Sequence, residues 1–478
     1  MRRSLSRRGT RVRLVALAGV VASLAGVGCV SQTAGLDVAS GNVRARGEGE
    51  LRWQSHDDDL DVAELRREVL GAPLTADAAA RLAVLSHPEV QASLDRLGVA
   101  RGSLVSALRL PNPEVELEAK SHDGRASYDL AVMIDLTRFF LLPLTQAAAS
   151  LELDAVALEA AGKALDVAFE ARMAFYEVQA ARQILELRRT VAYATSQSWA
   201  LAQTLRDAGN TIELDALNER ALYEESRVAV ARAEAEELVA RERLNAALGL
   251  HGTDAVAWTI ELRLEDPPAS EPSSEELERR ALERSLDLQL VRTRYAAAAR
   301  RGDAARATAW VPHVEAGISA EHSASEGWGV GPELGVGVPL FYQGQGEIGA
   351  ADAEMLVQKR MNDAVATRVR ATARQLTTRL RVAKERAAFY QATLLPLRAR
   401  ILEETQLQYN AMSIGVFQLL AAKRDQIEVA RAYVEALREY WQVRAELEQL
   451  ARGRLPASAA RAAPDAASTG MAAGAAGH

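Results

Sequence analysis

The order of patterns along this chain occurs twice, about 200 residues apart, and any fold must accommodate both copies. The first runs from about Leu74 to Leu250, the second from about Ser274 to Gly453. Each opens with a helical pattern behind a capping residue, Thr75 in one and Ser273 or Ser274 in the other. Ser86-His87-Pro88-Glu89-Val90-Gln91 is echoed by Arg284-Ser285-Leu286-Asp287-Leu288-Gln289. A proline-bearing segment follows in each, Leu110-Pro111-Asn112-Pro113 and Trp310-Val311-Pro312-His313.

Two alternating segments come next in each copy. Val115, Leu117 and Ala119 alternate with Glu114, Glu116, Glu118 and Lys120, and Leu130, Val132 and Ile134 with Asp129, Ala131, Met133 and Asp135. In the second copy Val314, Ala316, Ile318 and Ala320 alternate with Glu315, Ser319 and Glu321, and Leu334, Val336, Val338 and Leu340 with Glu333, Gly335 and Gly337. Period-two alternation predicts strands, here over about 113–120, 126–136, 312–321 and 330–341. His122 and His322 fall at the polar turns joining them.

Each strand pair is followed by a very long helical pattern, from about Leu144 to Arg206 and from about Gly346 to Tyr409. At 1.5 Å per residue each spans about 90 Å. Each pattern breaks once, at Gly209 and at Gly415, where glycine permits the left-handed residue that reverses a helix. The first returning helix carries Leu214, Leu217, Ala221, Val228, Ala231, Ala235 and Leu238, a heptad seam that predicts a neighbouring helix.

Four strands cannot close a barrel, and an open sheet edge cannot stand in lipid, so either the sheets form a soluble sandwich or several chains pool their strands. A sandwich needs hydrophobic cover for the aliphatic faces, which the long, polar flanking helices do not offer, and pooling is favoured. Two chains would supply eight strands, whose interior fills with side chains; three would supply twelve, which leave a lumen. The strands are long enough to cross a bilayer when tilted. Leu130, Val132, Val336 and Val338 are then expected to face lipid, and Glu114, Glu116, Glu118, Glu315 and Glu321 the lumen.

Residues 1–28 combine six arginines, no acid and the apolar run LVALAGVVASLAGVG, an export signal too short to span a bilayer. Losing them takes the formal charge from −7 to −13, which opposes nucleic-acid binding. Cys29 is the one cysteine, so no intrachain disulfide forms, and its setting resembles a bacterial lipoprotein processing site, with Gly26 where such sites usually carry Leu. Cys29 is the expected lipidation site, and Val30, which is not aspartate, favours outer-membrane sorting. Residues 29–73 read as an N-terminal tether with one helix near Asp61–Leu70, 251–273 as a linker, and 454–478 as a disordered tail. Outside the signal no 18 consecutive residues are apolar.

Helix, strand pair, long helix, break and helix, twice over, resembles the TolC-like outer-membrane efflux protein family. The carrying residues are Asn112-Pro113-Glu114-Val115, Pro332 to Phe341, and Tyr409-Asn410-Ala411-Met412-Ser413-Ile414-Gly415 with Leu419-Leu420. The resemblance covers about Leu74 to Gly453. It implies a mostly α chain with a small β part, four strands per chain contributing to a trimeric 12-stranded transmembrane barrel, and a long periplasmic α-helical barrel. It further implies a homotrimer in outer-membrane lipid that is the passive exit duct of an efflux or secretion system. The partners that the resemblance implies are a periplasmic adaptor, docking at the tips Gly209, Asn210, Gly415 and Val416, and an inner-membrane pump. The family's acidic constriction maps to Ala421 and Arg424, which puts a gate of that kind in doubt.

Gly344-Gln345-Gly346-Glu347-Ile348-Gly349 matches a dinucleotide-binding pattern, but helical sequence continues for about 60 residues where a second strand is required. The glycines read as a strand-to-helix hinge. GxSxG, HExxH, CxxC and Walker patterns are absent, and the seven histidines show no ligand spacing. His56 beside Asp57, Asp58 and Asp59 reads as a solvated acidic run. No cofactor, metal or catalytic residue is expected, and the chain reads as a duct and not an enzyme. The alternative is a non-conducting, envelope-spanning coiled-coil spacer, which needs no strands.

Overall fold

The computed structural model describes residues 30–31, 33–53, 59–122, 125–271, 273–310, 313–323, 327–338 and 340–456. Cys29, the export signal, His56 and the tail beyond 456 lie outside them.

Helices dominate. α1 (Leu36–Ala45), α2 (Asp59–Leu70), α3 (Ala76–Ser86) and α4 (Pro88–Leu108) precede β1 (Glu114–His122) and β2 (Arg125–Asp135). α5 (Thr137–Asp207) follows, then α6 (Glu213–Leu248), the short α7 (Asp254–Ala257), α8 (Ser274–Arg284) and α9 (Leu286–Trp310). β3 (His313–Ser323) and β4 (Gly327–Gly337) lead into α10 (Gln345–Phe389), a π-helical turn at Tyr390–Leu394, α11 (Leu395–Asn410) and α12 (Val416–Ala451).

α5 runs 71 residues, about 105 Å. It starts at Thr137 instead of Leu144 and takes Pro143 inside it, at the cost of the hydrogen bond to the Phe139 carbonyl. One 18-residue window of it, mean hydropathy 1.2, is apolar enough to cross a membrane by length and composition alone. The π turn before α11 has a similar origin. Pro396 lacks an N–H and its ring crowds the Ala392 carbonyl, and a widened turn gives that ring room.

The described residues divide into two compact units: those within 30–39, 94–159 and 289–363, and those within 40–93, 160–288 and 364–456. In the first, arginines of α9 pair with acids of α5 and α10: Arg301 with Glu152 at 2.9 Å, Arg294 with Glu159, and Arg306 with Asp352. The strands form one antiparallel sheet in the order β1-β2-β3-β4. Gly35, at φ +86°, lies between Leu97 and Leu153, too close for a side chain to be added without movement.

In the second unit the core is built on small residues. Ala160, Ala161, Ala164, Leu165, Ala168 and Ala171 of α5 are buried, and alanine lets helix axes approach closely. Val434, Leu437, Tyr440, Val443, Leu447 and Leu450 form the buried stripe of α12. Two returning helices end in the same way. Gly249 (φ +68°) abuts His87 and Pro88 at the α3–α4 junction, and Gly453 (φ +93°) abuts Arg284 and Ser285 at the α8–α9 junction. The capping hydroxyls are equivalent too: Thr75 accepts from the Ala78 N–H and Ser273 from the Glu276 N–H.

Three features differ from what the sequence patterns predict. First, the segment before α3 is not simply extended: α1 forms, and Glu48, 0 % exposed, receives Arg172 Nη1 and Nη2 at 2.7 and 2.8 Å and Arg452 Nε at 3.1 Å. Second, the connection after α7 is strapped across helices. Gln179 donates to the Glu261 and Arg263 carbonyls, Gln183 to Leu262 and Trp441 to Glu265, while Trp258 is only 1 % exposed. Third, the heptad residues Leu214, Leu217, Val228 and Leu238 are exposed within the chain; Ala216, Ser226, Ala233, Ala240, Leu244 and Leu248 make the buried seam of α6.

Candidate functional site, a two-faced sheet

Register decides what the sheet can do. Residues paired across antiparallel strands share a face. Val115 pairs with Val132 and Val132 with Ile318; Leu117 pairs with Leu130 and Leu130 with Ala320. Val314 pairs with Val336 and Ala316 with Leu334. One face is therefore aliphatic from β1 to β4. It includes three of the four expected lipid-facing residues, Leu130, Val132 and Val336, all exposed. Val338 lies past the end of β4, which stops at Gly337 and not at Phe341; Pro339 supplies no N–H to prolong a ladder.

The opposite face is acidic. It carries Glu114, Glu116 and Glu118 of β1, Asp129 and Asp135 of β2, Glu315 and Glu321 of β3, and Glu333 of β4. All five expected lumen residues are among them. Lys120 lies 2.7 Å from Glu118 and 3.4 Å from Asp129. β4 contributes Gly329, Gly331, Gly335 and Gly337 to this face, leaving room beside Glu321, Ser319, Glu315 and His313. Gly317 is obligatory, since a Cβ there would lie 2.2 Å from the Val132 carbonyl oxygen.

The aliphatic face is bounded by aromatics that the alternation does not reveal. Tyr128, His322 and Trp328 form one cross-strand row near the hairpin turns, with His322 stacked on Trp328 at 4.9 Å. His322 is thus a strand residue and not part of the turn. Beyond the other strand ends, Phe139, Phe140, Phe341 and Tyr342 are exposed, Phe341 by 96 %. In a chain with 5 % aromatics, their concentration at strand ends was the available signal.

The two helix reversals are built differently. After α5, the Gly209 N–H donates to Arg206 O and the Asn210 N–H to Leu205 O, both at 2.8 Å, with Gly209 at φ +73°. After α11, the Met412 N–H donates to Tyr409 O and the Ser413 N–H to Gln408 O, and the left-handed residue is Met412, at φ +61°. Gly415, expected to reverse the helix, has φ −81° and ψ 161°; it caps α12, its N–H donating to Gln418 Oε1 at 2.6 Å, and Val416 begins the helix. Arg424 and Ala421 line a small cavity with Thr195, Ser198, Glu219 and Phe417.

At the strand-to-helix hinge Gly344 has φ +71°, and the Tyr342 hydroxyl sits against Gly346 and donates to Glu347. That bond raises the phenol and lowers the carboxyl from their ordinary values. A helix of 45 residues follows.

No family model and no curated protein matches the sequence. Solved structures do. The Campylobacter jejuni CmeC outer membrane channel is 12 % identical with TM-score 0.64, over 90 % of this chain and 92 % of that one. The Vibrio cholerae outer membrane protein VceC is 15 % identical with TM-score 0.62, over 84 % and 98 %. The open state of the Neisseria gonorrhoeae MtrE outer membrane channel is 15 % identical with TM-score 0.61, over 83 % and 89 %. A sheet with one aliphatic and one acidic face, set among helices of up to 71 residues, places this chain in the fold of the TolC-like outer-membrane channels.

Proposed function

We propose that the chain is one subunit of an outer-membrane channel, the passive exit duct of a tripartite efflux or secretion system. The observation that carries this is the register: a continuous aliphatic face bounded by aromatics at both ends, back to back with a face of eight acids. Aliphatic band, aromatic borders and wet interior are what a transmembrane barrel wall requires. β1 and β4 have no outer partner among the described residues, so a lipid-embedded sheet must be completed by other copies. Three copies give twelve strands, enough for a lumen. The exposed heptad stripe of α6 fits packing against a helix of another copy.

The aliphatic residues Leu130, Val132 and Val336 then face lipid, and Glu114, Glu116, Glu118, Glu315 and Glu321 line water. The doubled helix–hairpin–helix order gives each subunit two long hairpins directed into the periplasm. Their reversals at Gly209, Asn210, Met412, Gly415 and Val416 meet a periplasmic adaptor, which connects to an inner-membrane pump. Cys29 is acylated; three chains anchor stably where one is marginal.

Purified protein in a planar bilayer is expected to conduct as a detergent-stable trimer. A monomer, or a trimer that carries no current, would instead identify a coiled-coil spacer.

A further inference from the structure

A cleft of about 470 Å³ lies where α9, the end of β4 and the start of α10 meet. Ala305 and Ala309 give it an apolar floor, and Thr308, His313, Tyr342 and Glu347 give it polar walls. His313 is held by a 2.8 Å contact with Glu315, and Tyr342 by Glu347. None of the described residues fills the cleft, although the adjoining Val338, Leu340 and Phe341 are exposed and apolar. The volume suits a short peptide.

We propose that this cleft is the seat of Leu110-Pro111-Asn112-Pro113 from the neighbouring copy, so that each site is completed by the next subunit. The inference rests on the barrel reading above and deepens it. In a closed antiparallel barrel, the unpaired β4 edge of one copy must meet the unpaired β1 edge of the next. The strands run oppositely, so the end of β4 lies beside the beginning of β1, and the residues just before Glu114 arrive at the cleft. Pro111 and Pro113 have no N–H and cannot extend the ladder. They favour the polyproline conformation, which is recognised by apolar and aromatic surfaces and not by backbone pairing. Ala305, Ala309 and Tyr342 offer that surface. The Thr308 hydroxyl, whose hydrogen goes to the Ala304 carbonyl, keeps an oxygen that can accept from the Asn112 amide. Asn112 and Pro113 are exposed in the single chain, as a segment awaiting a partner must be.

The test is cysteine crosslinking of the full-length protein in membranes, with the variants Asn112→Cys and Gln343→Cys. The double variant is expected to oxidise to covalent trimers, each single variant to none, and the two single variants expressed together to covalent dimers. As a second measurement, Ala309→Trp fills the cleft and should lower recovery of detergent-stable trimer at least tenfold while the helical circular dichroism persists. An intrachain disulfide overturns the proposal. So does a wild-type trimer that persists with no link in the double variant, or with undiminished recovery after Ala309→Trp; these results leave the barrel reading standing. Phospholipid retained by the wild type in native mass spectrometry, lost in Ala309→Trp and accompanied by no crosslink, would make the cleft a lipid seat and overturn the proposal. A wild-type protein that never trimerises removes both readings.

Discussion

Met412 is the one non-glycine residue with positive φ among those described, at +61°, and its side chain is 92 % exposed. A left-handed residue bearing a Cβ costs about 1–2 kcal/mol, and glycine, with more freedom to lose, recovers only part of that. The exposed side chain gives up almost no burial when removed. Met412→Gly should therefore stabilise the closed turn by about 1 kcal/mol, a factor of about 5 in the local opening equilibrium. Native-state hydrogen exchange reads this directly, at residue 412 and at the Ser413 amide bonded to Gln408 O. After correction for intrinsic rates, both should exchange about fivefold more slowly. Gly209→Ala is the reciprocal experiment. No atom lies within 4 Å of its would-be Cβ, so the effect is conformational and not steric. The Asn210 amide should exchange about fivefold faster. Unchanged or faster exchange in Met412→Gly would refute the argument that this turn is strained.

Val132→Lys, on the aliphatic face, should cost about 2–4 kcal/mol at mid-bilayer and block membrane assembly, while Glu116→Lys should assemble and move the reversal potential toward anion selectivity; equal behaviour would contradict the face assignment. Gly317→Ala meets the Val132 carbonyl at 2.2 Å and should abolish trimer recovery, whereas Gly331→Ala, with nothing within 4 Å, should not. Arg172→Met leaves Glu48 buried and short of its main partner, and should cost about 3–5 kcal/mol in denaturant unfolding, most of it regained by adding Glu48→Leu. Gly415→Ala, at an ordinary φ and with Gln418 Oε1 3.4 Å from the new Cβ, should leave the turn intact. An export defect in that variant, with trimers at wild-type level, would report lost docking and not a broken hairpin.

The parts of this fold that were legible obey short periods. Alternation in β1 to β4 shows because each side chain must choose a face, and the choice repeats every two residues. The pairing of β2 with β3 is not encoded locally, because the alternation of one strand does not name a partner far away in the chain. Gly415 misleads because glycine marks a break without saying which residue turns left-handed, and at this tip Met412 does so while glycine caps the next helix. α1 is short and weakly apolar, and its place depends on Glu48 reaching Arg172, 124 residues away. The intrachain seam of α6 is hidden in the sequence for a related reason. Its larger apolar residues suit an external partner, while the intrachain contact uses alanines and serine, which carry little hydrophobic signal.

The β2–β3 ladder also sets an order on maturation. It joins Tyr128 to His322, whereas β1 and β2 are neighbours in the chain. Closing so long a loop costs about 3 kcal/mol more entropy than closing a hairpin. Each hairpin can form as it emerges, but the four-stranded sheet must wait until β3 and β4 have followed. Until then β2 exposes an aliphatic, hydrogen-bonding edge, the condition under which strands find wrong partners. A chain stalled or cut between Leu250 and Ser274 would hold that edge open permanently, and it should aggregate or require a chaperone that binds unpaired strands. A sheet drawn from strands so far apart thus makes its precursor dependent on uninterrupted delivery of the second half.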